Sequence, residues 1–222
     1  MKLLIQLVLW VIIAALGYLL FNAIYGEVKF NEVKEKRYLA AIENLKDIRV
    51  AQLAHKTVTG KYEGDFDKLV RFIDTAQFTL TQRRDSTIRD EVRSKELGVD
   101  MVKDIVIIDT LGFRSVKDSL YKAVNGKSKD RYKTMIKVPV EGTDAKFEMT
   151  AGFIEKSNLQ IPVFEAKVSK ETLLFDQKKD YIIKEKQVVS VDAVNGTHLT
   201  VGSMIDINTN GNWPKSYGAN DE

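Results

Sequence analysis

From Leu3 to Ile24 the sequence is apolar except at Gln6 and Asn22, while most of the remaining chain is polar and highly charged. At about 1.5 Å per residue, a helix over this run reaches roughly 33 Å, enough to cross a hydrocarbon core of about 30 Å. The run exceeds the roughly 7 to 15 residues of a signal-peptide core, and Asn22-Ala-Ile-Tyr-Gly26 offers no small-x-small cleavage site. The expectation is a retained single-pass signal anchor over residues 1–26. Gln6 lies near the headgroups, and Ala14, Ala15 and Gly17 lack the small-xxx-small spacing of a dimer face. Lys29, Lys34, Lys36 and Arg37 come after the span, which by a count of basic residues alone would hold that flank in the cytoplasm. Glu27, Glu32 and Glu35 are mixed among them, and a very short tail ahead of a span is the layout of an anchor that exports the chain beyond it. The large carboxy-terminal domain is therefore expected to be periplasmic or otherwise extracytoplasmic.

Subtracting the anchor leaves about 195 of the 222 residues, enough for one domain with a helical stalk or for two small ones. The 44% hydrophobic content allows a real core. Lys and Arg number 34 against 31 Asp and Glu, interleaved, so no unopposed basic stripe exists and nucleic acid is not an expected partner. The absence of cysteine removes disulfides, thiolate metal sites and cysteine nucleophiles, and leaves the compartment open.

No proline or glycine falls between Val28 and Lys56, and Tyr38, Ala41, Ile42, Leu45, Ile48, Gln52 and His55 recur at helical offsets. One helix should run out of the bilayer as a stalk over 27–60. Its first part, EVKFNEVKEKR, reads as polar nearly all round and either solvated or at the headgroups. The stripe of Tyr38, Ile42, Leu45, Ile48 and Gln52 needs support, from the chain's own domain or from a second copy, and is the candidate partner-binding surface. Lys56 and Gly60 make a helix stop, and His55 is read as structural.

Residues 61–222 read as an α+β domain. Asp65 should N-cap a helix over DFDKLVRFIDT with Phe66, Leu69, Val70 and Ile73 on one face. Residues 77–82 alternate as a strand, RRDSTIRDEVRSKELGVD reads as an exposed charged loop with a short strand around Ile88 to Arg93 as the alternative, and Ile105-Val106-Ile107-Ile108 reads as a strand buried on both faces or nearly so. Ser115 to Tyr121 suggests a short helix. A meander of strands is expected over 134–140, 146–154, 160–168 and 188–201, with a type I′ hairpin at Asn195-Gly196. Pro139 and Pro162 point to strand edges or bulges, residues 170–187 to a short helix and a charged strand, and the tail to loose chain after Pro214.

A search for chemistry finds no site. The two histidines, His55 and His198, lie outside any HExxH motif, and no GxGxxG, GxxxxGK[ST] or GxSxG occurs. No catalytic, cofactor-binding or metal-binding residues are assigned, no cofactor is expected, and a hydrolase using His198 is the minor enzymatic alternative.

The apolar helix, the stretch AIENLKDIRVAQLAHKTVTGKY with its Gly60-Lys61-Tyr62 turn, the next helix and the antiparallel strands resemble the layout of type IV pilins and type II secretion pseudopilins. That resemblance covers roughly Leu3 to Ile73 and implies a filament subunit; the family's glycine-phenylalanine processing site with its downstream glutamate does not occur in these residues. The chain as a whole also resembles uncharacterised single-pass envelope proteins of Gram-negative bacteria. The sequence therefore points to a bilayer-anchored scaffold or accessory subunit that binds other membrane or periplasmic proteins, with self-association included, and to a pilin-like subunit as the alternative.

Overall fold

This computed structural model describes residues 2–123 and 126–218. Helix α1 (Lys2–Thr59) runs unbroken from the apolar segment into the body, over about 87 Å. It stops where the sequence says: Gly60 takes φ 80°, and its amide donates to the Lys56 carbonyl at 2.8 Å. Helix α2 (Phe66–Thr75) opens on Asp65, whose side chain accepts from the Lys68 amide at 3.0 Å, and turns Leu69 and Ile73 inward.

Strands β1 (Gln77–Arg89) and β2 (Val102–Ser115) form a two-stranded antiparallel hairpin whose tip is helix α3 (Glu91–Leu97). Helix α4 (Val116–Leu120) returns the chain to the body. A second sheet, antiparallel in the order β3-β4-β5, contains β3 (Glu148–Lys156), β4 (Leu159–Ser169) and β5 (His198–Gly202). Helices α5 (Lys170–Leu173) and α6 (Lys179–Lys186) connect β4 to β5.

The core lies between this sheet and the distal half of α1. Phe164, Ala166 and Val168 of β4 are buried, at every second position, with Leu199 and Val201 of β5 beside them. Ile42, Leu45 and Ile48 of α1 belong to the same cluster. Of the two supports the sequence allows for the α1 stripe, the structure shows the chain's own domain.

The fold is α+β as expected, and it corrects several local readings. The segment after the apolar run is not a bare stalk: Phe30 is buried and its ring lies 5.0 Å from that of Tyr181 on α6, so the domain begins within about two turns of Ile24. The type I′ geometry sits at Ser157-Asn158, both at positive φ (54° and 61°), in the two-residue turn between Lys156 and Leu159. At the expected place only Gly196 has positive φ. The Asn195 side chain instead accepts from the Ser190 amide at 2.8 Å, bending residues 188–197 into a loop. Residues 134–140 contribute an isolated bridge, Lys137 with Lys146, rather than a strand. Residues 170–187 form two short helices and no strand.

Of the charged segment expected as a loop after Gln82, residues 83–89 continue β1 and residues 91–97 form α3, with Asp90 and residues 98–100 as the joints. The Asp90 side chain accepts from the Arg93 amide at 3.2 Å, and Gly98 closes the helix in the left-handed region. Pro162 does lie where a ladder bond is dispensable, because β5 pairs with β4 only from Glu165 onward. After Pro214 a short 3-10 turn, Lys215–Tyr217, brings Tyr217 beside Tyr38 at 6.2 Å between rings. Residues 219–222 of the expected loose tail lie outside the described residues.

Candidate functional site

Among the described residues, two long segments carry many exposed apolar side chains, and both are candidate sites of contact. The first is the amino-terminal half of α1. Every residue from Lys2 to Tyr25 whose side chain is described is exposed, including Trp10 at 69% and Leu16 at 60%. By length and apolarity this helix is sufficient to cross a membrane. Aromatic residues close this segment, with Phe21 stacked on Tyr25 at 5.6 Å. A Cβ at the next residue, Gly26, would sit 2.9 Å from the Tyr181 hydroxyl. The body of the protein therefore abuts the end of the apolar segment.

The second is the β1–β2 hairpin, an arm of about 40 Å. None of its strand residues is buried. The arm is rooted where the Val116 amide donates to the Ala76 carbonyl at 3.0 Å. The sequence expectation for Ile105 to Ile108 is overturned here. They do form a strand, but Val106 and Ile108 face solvent on one side of the ribbon, at 48% and 66% exposure, and Ile105 and Ile107 are half-buried on the other. A continuous apolar run signals burial on both faces, and in this chain alone nothing supplies it. Leu111 is an extra residue at the register shift between Leu80 and Thr81, and with Phe113 it extends the exposed apolar surface toward the root.

Polar interactions fix the body from which these two parts project. The Lys170 ammonium is fully buried and donates to the backbone oxygens of Glu185 and Val194, each at 2.7 Å, and to Glu185 Oε1 at 3.3 Å. Glu185 also accepts from Tyr38 (3.3 Å) and pairs with Lys34 (3.1 Å) on α1. Burial lowers the Lys170 pKa against the opposing pull of Glu185, and raises the Tyr38 hydroxyl far above the usual phenol range, helped by the same carboxylate. Nearby, Arg37 grips Asp176 with two parallel bonds of 2.6 and 2.8 Å and holds that carboxyl well below its usual range. These contacts tie α1 to α6 and to the segment after β4. They satisfy one another, which is the pattern of a structural clamp rather than of a poised acid or base.

The sequence-assigned stripe lies within the core: Tyr38, Ile42, Leu45, Ile48 and Gln52 are all buried. Gln52 holds the turn after α1, donating to the Glu63 carbonyl at 2.5 Å and accepting from the Glu63 amide at 3.0 Å. His55 Nδ1 lies 2.7 Å from the Lys61 carbonyl, and its ring makes a T-shaped contact with Phe72. His198 stands at the start of β5 with Nδ1 2.8 Å from the Thr197 hydroxyl. Among the described residues no group of three or more His, Cys, Asp or Glu is placed to hold a metal ion. A depression of about 510 Å³ beside Gly142, Ser169 and Phe175 contains one carboxylate, Glu171, which is paired with Lys186 at 3.0 Å.

The arm and the buried lysine are what the sequence reading missed. The signal for the arm was present: the apolar run in β2 pairs with QRRDSTIR, a partner too polar for the interior of a sheet. The chain matches no protein-family model, and no curated protein or solved structure is significantly similar to it.

Proposed function

We propose that this chain is a single-pass, membrane-anchored envelope protein whose extracytoplasmic domain is a non-enzymatic interaction module, an accessory subunit of a membrane-associated complex. The observation that carries this reading is that the same helix exposes every described side chain up to Tyr25 and enters the core at Phe30. One end suits lipid and the other fixes a folded body directly above it. The hairpin arm is the surface offered to other proteins. Its exposed apolar residues exceed the scattered singles of an ordinary surface. Crosslinking from the arm in intact membranes, with subsequent purification in detergent, tests this: defined crosslinked species support it, and an arm that labels freely and crosslinks to nothing opposes it.

The alternative is a pilin-like or pseudopilin-like filament subunit. It is favoured by one feature, a continuous helix whose distal half lies on an antiparallel sheet while its proximal half projects. Shearing separates the two readings, since a filament subunit pellets as a high-molecular-weight fibre and an anchored module stays with the membrane.

A further inference from the structure

The outer edge of β2 is unpaired, because the hairpin contains only two strands. A two-stranded ribbon is marginal in water and gains stability from a third strand. The two edges of the arm differ. β1 carries Arg83, Arg84, Asp85 and Arg89, charges that guard an edge against pairing. β2 carries Ile105-Val106-Ile107-Ile108 between Lys103-Asp104 and Asp109. From this difference we infer that the arm is completed by a second copy of the chain, β2 pairing antiparallel with β2 across a two-fold axis at Val106, to give a four-stranded sheet. This rests on the reading of the chain as an anchored interaction module and names the partner.

Charge and apolarity together select the register. Centred on Val106, antiparallel pairing sets Ile105 opposite Ile107 and Lys103 opposite Asp109, and the two-fold axis repeats each pair. Asp104 falls opposite Ile108 on the face where both are already exposed. A shift that sets Val106 opposite Ile107 brings Asp104 against Asp109, a like-charge pair that opposes association. Centring on Ile107 sets Asp109 against Ile105 and Lys103 against Leu111. Centring on Ile105 sets Lys103 against Ile107. In the Val106 register the face carrying Ile88, Ile105 and Ile107 continues into the same residues of the second copy, so an apolar stripe crosses the joined sheet. The contact is isologous and closes at two copies, and confinement to one membrane raises the effective concentration for it.

The chain has no cysteine, so single cysteines report the register directly. The test uses full-length protein in the membranes of the producing cells, oxidised with copper phenanthroline, and compares two exposed positions, Val106→Cys and Val102→Cys. In the inferred register the two copies of residue 106 face each other, while those of residue 102 lie about 26 Å apart along the strands. Disulfide closure fails once Cα atoms are more than about 7 Å apart, so Val106→Cys should give on the order of tenfold more disulfide-linked dimer. No dimer from Val106→Cys, or equal dimer from both positions, overturns the inference. A crosslink from residue 106 to a different polypeptide also overturns self-pairing but leaves the interaction-module reading standing. Loss of both variants from carbonate-washed membranes is the separate result that contradicts the anchored reading itself.

Discussion

Lys170 and Glu185 meet inside the domain with their side chains 0% and 6% exposed, and the lysine Nζ reaches both the backbone oxygen and a carboxylate oxygen of the glutamate. Lys170 thereby caps the last turn of α6, and its third bond, to the Val194 carbonyl, fastens the loop ahead of β5. Lys170→Ala would take the buried donor from the Val194 and Glu185 carbonyls and leave the Glu185 carboxylate to Lys34 and Tyr38 alone. The expected loss is about 3–5 kcal/mol, read as a fall in Tm of roughly 6–20 °C. Lys186→Ala, which breaks the exposed pair with Glu171, should cost under about 1 kcal/mol. Equal effects of the two substitutions in thermal unfolding would contradict the clamp.

Tyr38 and Tyr121 give the fold an alkaline limit. Burial, together with nearby Glu185 and Asp47 respectively, raises both phenols well above their ordinary value. The folded state therefore keeps protons that the unfolded chain releases near pH 10. Stability is full below about pH 10 and declines above it, by up to about 1.4 kcal/mol per pH unit for each such tyrosine. Lys170, lowered by burial, acts in the opposite direction up to about pH 10.4 and offsets part of the early decline. Urea midpoints measured from pH 9 to 11.5 should fall, with a shallower fall in Tyr38→Phe. A midpoint constant across that range would contradict the burial described.

The hairpin between β3 and β4 turns on two non-glycine residues at positive φ. Replacing Ser157-Asn158 with Asn-Gly supplies the pair a type I′ turn favours, and should add about 1 kcal/mol to stability. Gly196→Ala, placed at φ 84°, should lose a similar amount. The two changes are compared by denaturant midpoint at constant m-value; a destabilising effect of Asn-Gly at 157–158 would mean that the turn is of another type.

What the sequence made legible depended on whether a feature is local. The end of α1, the Asp65 cap and α4 rest on residues a few positions apart, and each appeared where Gly60, Asp65 and Ser115 placed it. The Asn195-Gly196 hairpin failed because turn chemistry states a preference that side-chain bonding, here Asn195 to the Ser190 amide, can override. The β2 burial failed because apolarity reports that a strand needs cover and not whether its own chain supplies it. Lys170 with Glu185 was invisible for a different reason: both are ordinary charged residues in a charged stretch, and only tertiary packing brings the lysine under α1.

The arm should be dispensable for folding. Ala76 and Val116 are hydrogen-bonded at its root, and no strand residue of the arm is buried. Replacing residues 77–115 by a short glycine linker is expected to change Tm by no more than about 4 °C, since about 1 kcal/mol shifts a domain of this size by about 2–4 °C. The arm-deleted protein should also lose the crosslinked species. Global unfolding of that variant would mean that the hairpin is part of the core.

The most direct test of the anchored reading is carbonate extraction of membranes containing the full-length protein, with the amino-terminal sequence of the mature chain determined on the same sample. The account predicts that the protein pellets with the bilayer and that Leu3 to Ile24 is retained. A mature chain beginning beyond Gly26, or recovery in the soluble fraction, would contradict it.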